Sequence, residues 1–170
     1  MFTPALLAHF DQERRRTTEG IRRYGSWHTY VFEEPALELG PGTSDDAGWG
    51  AFCYTTGLYG VGHPELLVFS LDRRTSALLL NGLVDQVRRG RDLTPGEHVH
   101  VEAVGLTVLV ETVPNPGEIV FAANEYWARP SEASVPVLQL TWADPGGRFP
   151  WQPGCAAPAS CQPRPGRFRA

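Results

Sequence analysis

Between Phe52 and Leu71 the chain reads FCYTTGLYGVGHPELLVFSL. An apolar, β-branched run ends at Thr56. Gly57, Gly60 and Gly62 then punctuate the chain, and a second apolar run starts at Glu65. ELLVFSL lacks the polar–apolar alternation of a half-exposed strand, so it fits a strand covered on both faces. The stretch therefore reads as strand, loop, strand. His63, Pro64 and Glu65 sit in the connection, where a plain turn would serve. The connection is a reactive loop, a ligand cradle or a tight corner.

The rest of the chain is read outward from this unit. Downstream, Asp72 is a helix N-cap, and Ala77, Leu80, Leu83, Val84 and Val87 recur at helical spacing. Arg88, Arg89 and Gly90 then close the helix. HVHVEAV and LTVLVETV, joined at Gly105, read as a hairpin. NPGEIVFAANEYWA reads as a shorter helix. VPVLQLTWAD reads as a strand that either starts at Pro136 or lies near an edge. Upstream, PALLAHFDQERRRTTEGIRRYG reads as an arginine-rich helix ending near Gly25. SWHTYVF is a strand and EEPALELGPGTSDDAG a loop.

This order predicts an α+β domain with a mainly antiparallel six-stranded sheet, open or curled into a split-barrel-like core, and two to three flanking helices. The strand–helix–strand step in the middle allows one parallel pair. Residues 1–154 are expected to form a single domain. The Pro-, Gly- and Arg-rich residues 155–170 read as a disordered tail.

Composition narrows the function classes. The 170-residue chain has a formal charge of -4, which argues against a general nucleic-acid binder with its basic face. All 15 basic residues are arginine. No stretch is long and apolar enough to span a bilayer, so no membrane partner is expected. The N-terminal apolar run is short and its charges follow it, unlike a signal peptide. The three cysteines make no disulfide framework, and a cytoplasmic location is expected.

Chemistry-bearing residues cluster in two places. His63 and Glu65 could work as an acid–base pair, with Tyr54 donating a hydrogen bond to substrate. The plainer alternative has His63 bonding a loop carbonyl, Pro64 fixing the strand entry and Glu65 capping backbone groups. His63 and Glu65 also form H-x-E, the first half of a zinc deaminase signature, but Cys155 and Cys161 do not supply P-C-x-x-C. Thr56 and Gly57 open the glycine loop, whose N–H groups could cradle a ligand. Asn81 shares the polar side of its helix with Asp85 and Arg88, a solvated face, but on a helix that follows the glycine loop it could also point toward that loop's ligand. His98, His100 and Glu102 read as a solvated strand face, so no metal is expected. The second cluster is QLTWADPGGRFPW. There Trp142 and Trp151 provide aromatic surface, Asp144 is placed to accept turn N–H bonds, and Arg148 could pair with it or meet an anion.

These blocks resemble a known family. AFCYTTGLYGVGHPELLVFSL, then LLLNGL, then VPVLQLTWADPGGRFPWQPG are similar to the bacterial family catalogued as domain of unknown function 4262. Three blocks in the right order carry the resemblance from about Trp27 to Gly154. The family name implies no reaction. The arc from Cys53 to Leu80 is also similar in pattern to flavin reductase-like split barrels, which would imply an FMN pocket. The serine pair of that flavin loop is replaced near Gly57 and Leu58.

The leading expectation is a small-molecule-binding enzyme or accessory enzyme, with its pocket between the Thr56–Glu65 loop and the Trp142–Trp151 loop. The alternatives are an FMN-binding split-barrel protein and a non-catalytic interaction or immunity-type protein. The sequence does not fix the oligomeric state.

Overall fold

The computed structural model describes residues 3–32, 50–157 and 159–170. The loop expected over Glu33–Gly48 lies outside them. Among the described residues three α-helices and six strands are formed: α1 (Pro4–Tyr24), β1 (Trp27–Val31), β2 (Phe52–Thr56), β3 (Glu65–Phe69), α2 (Arg73–Arg88), β4 (His98–Val101), β5 (Leu106–Thr112), α3 (Phe121–Tyr126) and β6 (Val137–Trp142). Among the described residues, no helix is long and apolar enough to cross a membrane.

Local chemistry sets the helix ends. The Thr3 hydroxyl accepts from the Leu6 N–H and Pro4 occupies the first turn, so α1 starts there. Gly25 ends it in the left-handed conformation (φ 89°), donating to the Ile21 carbonyl. Asp72 caps α2 by accepting from the Thr75 N–H (2.9 Å) and hydroxyl (2.6 Å). The buried stripe of α2 is Ser76, Leu79, Leu80, Leu83, Val84 and Val87. Each fully buried leucine of that stripe contributes roughly 1.5–3 kcal/mol.

The sheet order is β1-β2-β3-β6-β5-β4. Four of the neighbouring pairs are antiparallel, and β3 with β6 is parallel, with Glu65 opposite Val137. The sheet is therefore mixed. It is also open, with β1 and β4 as its edges, which overturns the split-barrel expectation. The parallel pair is not made across the central strand–helix–strand step. β6 instead inserts between β3 and β5, because β2, β3 and β6 are the strands buried on both faces and belong in the middle. Pro136 precedes a central strand, and its carbonyl accepts from the Glu65 N–H (2.9 Å).

Alternation along the strands divides the core. Cys53, Leu66, Val68, Val99, Val101, Val108, Val110, Leu138 and Leu140 meet α2 on one face. Phe52, Tyr54, Leu67, Phe69 and Val137 point to the other face, against Ile119, Val120 and Ala123 at the start of α3. The C-terminal segment covers the rest of that second face. Phe168 is 9% exposed and lies edge-on to both Phe52 and Phe69, at 5.0 Å each. Gln139 Nε2 donates to the Pro163 carbonyl (2.6 Å) and the Trp142 N–H to Gln162 Oε1 (2.8 Å). Ser70 Oγ donates to the Cys161 carbonyl, and Asn115 Nδ2 donates to the Phe168 carbonyl at 2.8 Å. The tail that composition reads as disordered is thus a strap across the sheet. Proline and glycine forbid regular structure there but not packing.

Candidate functional site

The Gly57–Glu65 connection is a corner organised by one carboxylate. Glu65 is 0% exposed. Its Oε1 accepts from the Gly57 N–H (2.8 Å), the Tyr59 N–H (3.2 Å) and Trp127 Nε1–H (3.3 Å). Its Oε2 accepts from the Thr55 hydroxyl (2.7 Å) and the Leu58 N–H (3.2 Å). Thr55 Oγ1 in turn accepts from the Leu66 N–H (2.9 Å). Burial pushes the Glu65 carboxyl up from its ordinary value, and the Thr55, Gly57, Tyr59 and Leu58 donors oppose that rise. Gly57 has φ 142°, and a Cβ there would lie 2.9 Å from the Gly25 carbonyl, so the turn requires glycine.

His63 serves a second, separate joint. It is 4% exposed. Its Nδ1 lies 2.7 Å from the Pro64 carbonyl, which can only accept, so Nδ1 carries the proton. Nε2 is then free to accept from the Leu93 N–H (3.2 Å). Both ring nitrogens are used within the protein, and Glu65 is not among their partners. The plainer of the two sequence alternatives matches this geometry. His63→Ala leaves the buried Leu93 N–H without an acceptor, at a cost of about 2 kcal/mol. Thermal unfolding should fall by roughly 4–8 °C, while ligand binding elsewhere on the protein stays unchanged. A loss of binding with full stability would restore His63 as a functional group.

The remaining sequence candidates are dispersed. The Tyr54 hydroxyl is buried and accepts from the Ala122 N–H (3.1 Å), tying β2 to α3. Asn81 is exposed on the outer side of α2 with Asp85 and Arg88. Trp142 Nε1 donates to the Phe69 carbonyl (2.8 Å). Asp144 accepts from the Ala156 N–H (2.7 Å) and the Arg148 N–H (2.9 Å), which hold its carboxyl below the ordinary range. The Arg148 guanidinium bonds the Gly154 carbonyl (3.2 Å), not Asp144. Trp151 stacks on Phe149 at 5.1 Å and carries the Arg164 guanidinium at 4.1 Å.

The two expected pocket walls do not meet. β3 and β6 are parallel, so the loop entering β3 and the segment leaving β6 lie at opposite ends of the pair. A five-residue strand at about 3.3 Å per residue separates them by roughly 17 Å.

A cavity does exist, at the β1 edge. It measures about 490 Å³ and lies between α1, β1 and α3. Phe10, Glu13, Arg14 and Thr17 of α1 line one side, Trp27 and Thr29 the sheet side, and Ala122, Glu125 and Tyr126 the third. Of the sequence candidates only Thr56 reaches it. Thr56 is 1% exposed, and no described residue hydrogen-bonds its hydroxyl.

The walls are fixed from behind. Thr18 Oγ1 and the Tyr126 hydroxyl are 3.0 Å apart, and Arg14 donates to the Tyr126 carbonyl (3.2 Å). Trp27 rests on Gly20, where a Cβ would come within 2.5 Å of its ring. Tyr126 packs edge-on against Trp127 (4.9 Å), and Trp127 is held by Glu65. The glycine corner thus buttresses the cleft without lining it. The spacing Phe10, Glu13, Arg14, Thr17 marks one face of α1 and is legible in sequence. That α3 faces it is not, since the contact spans 108 positions.

These features define an open, mixed α+β sheet protein with a cleft at one edge. The chain belongs to the family described as Domain of unknown function (DUF4262), which matches residues 20–156. Comparison with curated proteins and with solved structures found no match.

Proposed function

We propose that this protein binds a small molecule in the α1–β1–α3 cleft. The observation that carries the reading is the pairing of a cavity of about 490 Å³ with Thr56, a buried residue whose hydroxyl opens into it and has no partner among the described residues. Concave sites with aromatic walls and a few convergent polar groups are the usual form of small-ligand pockets. Phe10, Trp27 and Tyr126 supply the walls, and Thr56, Glu125 and Asp11 the polar groups. The reading is a binding site first. His63 and Glu65 are committed to the corner, so any reaction would use groups of the cleft.

Ala122 is exposed at the start of α3 and lines the cavity. Ala122→Trp is expected to fill the cleft with unfolding unchanged within about 0.5 kcal/mol, as for an ordinary surface substitution. A fragment screen by ligand-observed NMR on the full chain should find binders that this variant no longer holds. Binders indifferent to Ala122→Trp would place ligand recognition elsewhere and defeat the reading.

A further inference from the structure

The charges of the cleft select among ligand classes. Among the described residues its lining holds three carboxylates, Asp11, Glu13 and Glu125, against the guanidinium of Arg14 and the imidazoles of His9 and His28. That guanidinium is already committed, bonding the Tyr126 carbonyl at 3.2 Å and lying over the Tyr126 ring at 5.2 Å. Glu13 is also partnered, by Arg16 at 3.0 Å on the exposed side of α1. Asp11 and Glu125 have no hydrogen-bond or ion-pair partner among the described residues. They come from different walls, α1 and α3, and flank the same space.

The aromatic lining points the same way. Trp27 is braced on Gly20, and Tyr126 is braced by Trp127 behind it. Aromatic faces attract cations through their quadrupole, and Trp is the strongest of them. An anionic ligand would meet two unpartnered carboxylates, while Arg14 is already in use and burial lowers the pKa of His28, which favours its neutral form. A neutral ligand would gain apolar contact, the Thr56 hydroxyl and at most a hydrogen bond from an uncharged donor to a carboxylate, without charge attraction.

We propose that the ligand is an organic cation, an ammonium on a compact apolar body, with the charge between Glu125 and Asp11 and the body against Phe10 and Trp27. This rests on the reading of the cleft as the ligand site. The Thr56 hydroxyl then serves a donor or acceptor at the inner end of the ligand.

Three probes of nearly equal size and different charge test it: 2-phenylethylammonium, 2-phenylethanol and phenylacetate. Each is titrated into the full chain, with calorimetry and ligand-observed NMR as readouts. The expected order is the ammonium tightest, the alcohol about tenfold weaker, and the carboxylate weakest, as one charge-assisted contact provides. Glu125→Gln should remove most of the tenfold preference and leave the alcohol unchanged. Asp11→Asn is the second variant, and both positions are exposed, so neither change threatens folding.

Phenylacetate binding as tightly as the ammonium, and lost in Ala122→Trp, would overturn the cation class while keeping the cleft as a binding site. A preference for the ammonium that survives both carboxylate substitutions would overturn the assignment to Glu125 and Asp11. Indifference of all three probes to Ala122→Trp would overturn the cleft reading, and the cation proposal with it.

Discussion

Glu65→Ala is expected to destabilise the protein by about 4 kcal/mol or more, lowering the thermal midpoint by roughly 8–16 °C. The substitution removes one side chain but strands five donors: the N–H groups of Gly57, Leu58 and Tyr59, the Thr55 hydroxyl and the Trp127 indole. A buried donor left without an acceptor costs about 1–3 kcal/mol, and water can reach some of these once the corner loosens. The total therefore falls below the simple sum. Glu65→Gln keeps one acceptor oxygen and turns an amide N–H₂ toward the remaining donors, so about half the loss is expected. Chemical denaturation of the parent and both variants measures this. A Glu65→Ala protein within about 1 kcal/mol of the parent would show that the carboxylate does not hold the corner.

The same substitution should weaken the cleft. Trp127 loses its anchor, and Tyr126, which packs on it, is a cleft wall. Where Glu65→Gln still folds, its binders should be retained at reduced affinity. A catalytic carboxylate in the cleft would instead lose turnover with affinity intact, and the position of Glu65 outside the cavity argues against that pattern.

Phe168→Ala is the second large effect. Phe168 is the third-last of the 170 residues, in a region where side chains are often immaterial. Here its ring closes the second core against Phe52 and Phe69. Truncating a buried phenylalanine costs about 3 kcal/mol at the lower end of the usual range, which suits a site at the rim. The midpoint should fall by roughly 6–12 °C. Removal of residues 155–170 should cost more, because Gln139 and the Trp142 N–H also lose the Pro163 and Gln162 partners that satisfy them. A Phe168→Ala variant as stable as the parent would mean that the strap is not seated in solution.

Much of the local structure was legible in sequence. Thr3, Asp72 and Gly25 mark helix ends by side-chain and backbone chemistry within a few residues of the element they cap. The stripe of α2 follows from its period at Leu80, Leu83, Val84 and Val87, but Ser76 and Leu79 belong to it and Ala77 does not. The apolar run of β3 announces a strand covered on both faces, and every residue of it is buried; β2 reads only as a strand, and it too is buried throughout. The plain reading of His63–Pro64–Glu65 could be written from the sequence. Its choice over a catalytic pair needed the partners, because no local pattern shows that four donors of the Thr55–Tyr59 stretch and the Trp127 indole, 62 positions away, converge on one carboxylate.

The sequence by itself determined most of which segments become helix or strand and that the glycine corner exists, though not every boundary: NPGEIVFAANEYWA forms only a 3-10 turn at Pro116–Glu118 and α3 at Phe121–Tyr126. Those features depend on period, capping and backbone freedom, all of which act over a few neighbouring residues. Only the tertiary structure decided that β6 runs parallel to β3, which sets the Thr56–Glu65 and Trp142–Trp151 segments at opposite ends. It alone decided that α3 faces α1 across the cleft, and that a proline-rich terminus packs as a strap. The physical reason is shared. Each of these follows from which apolar surface is left to cover once the other elements are placed, and that is a property of the whole chain.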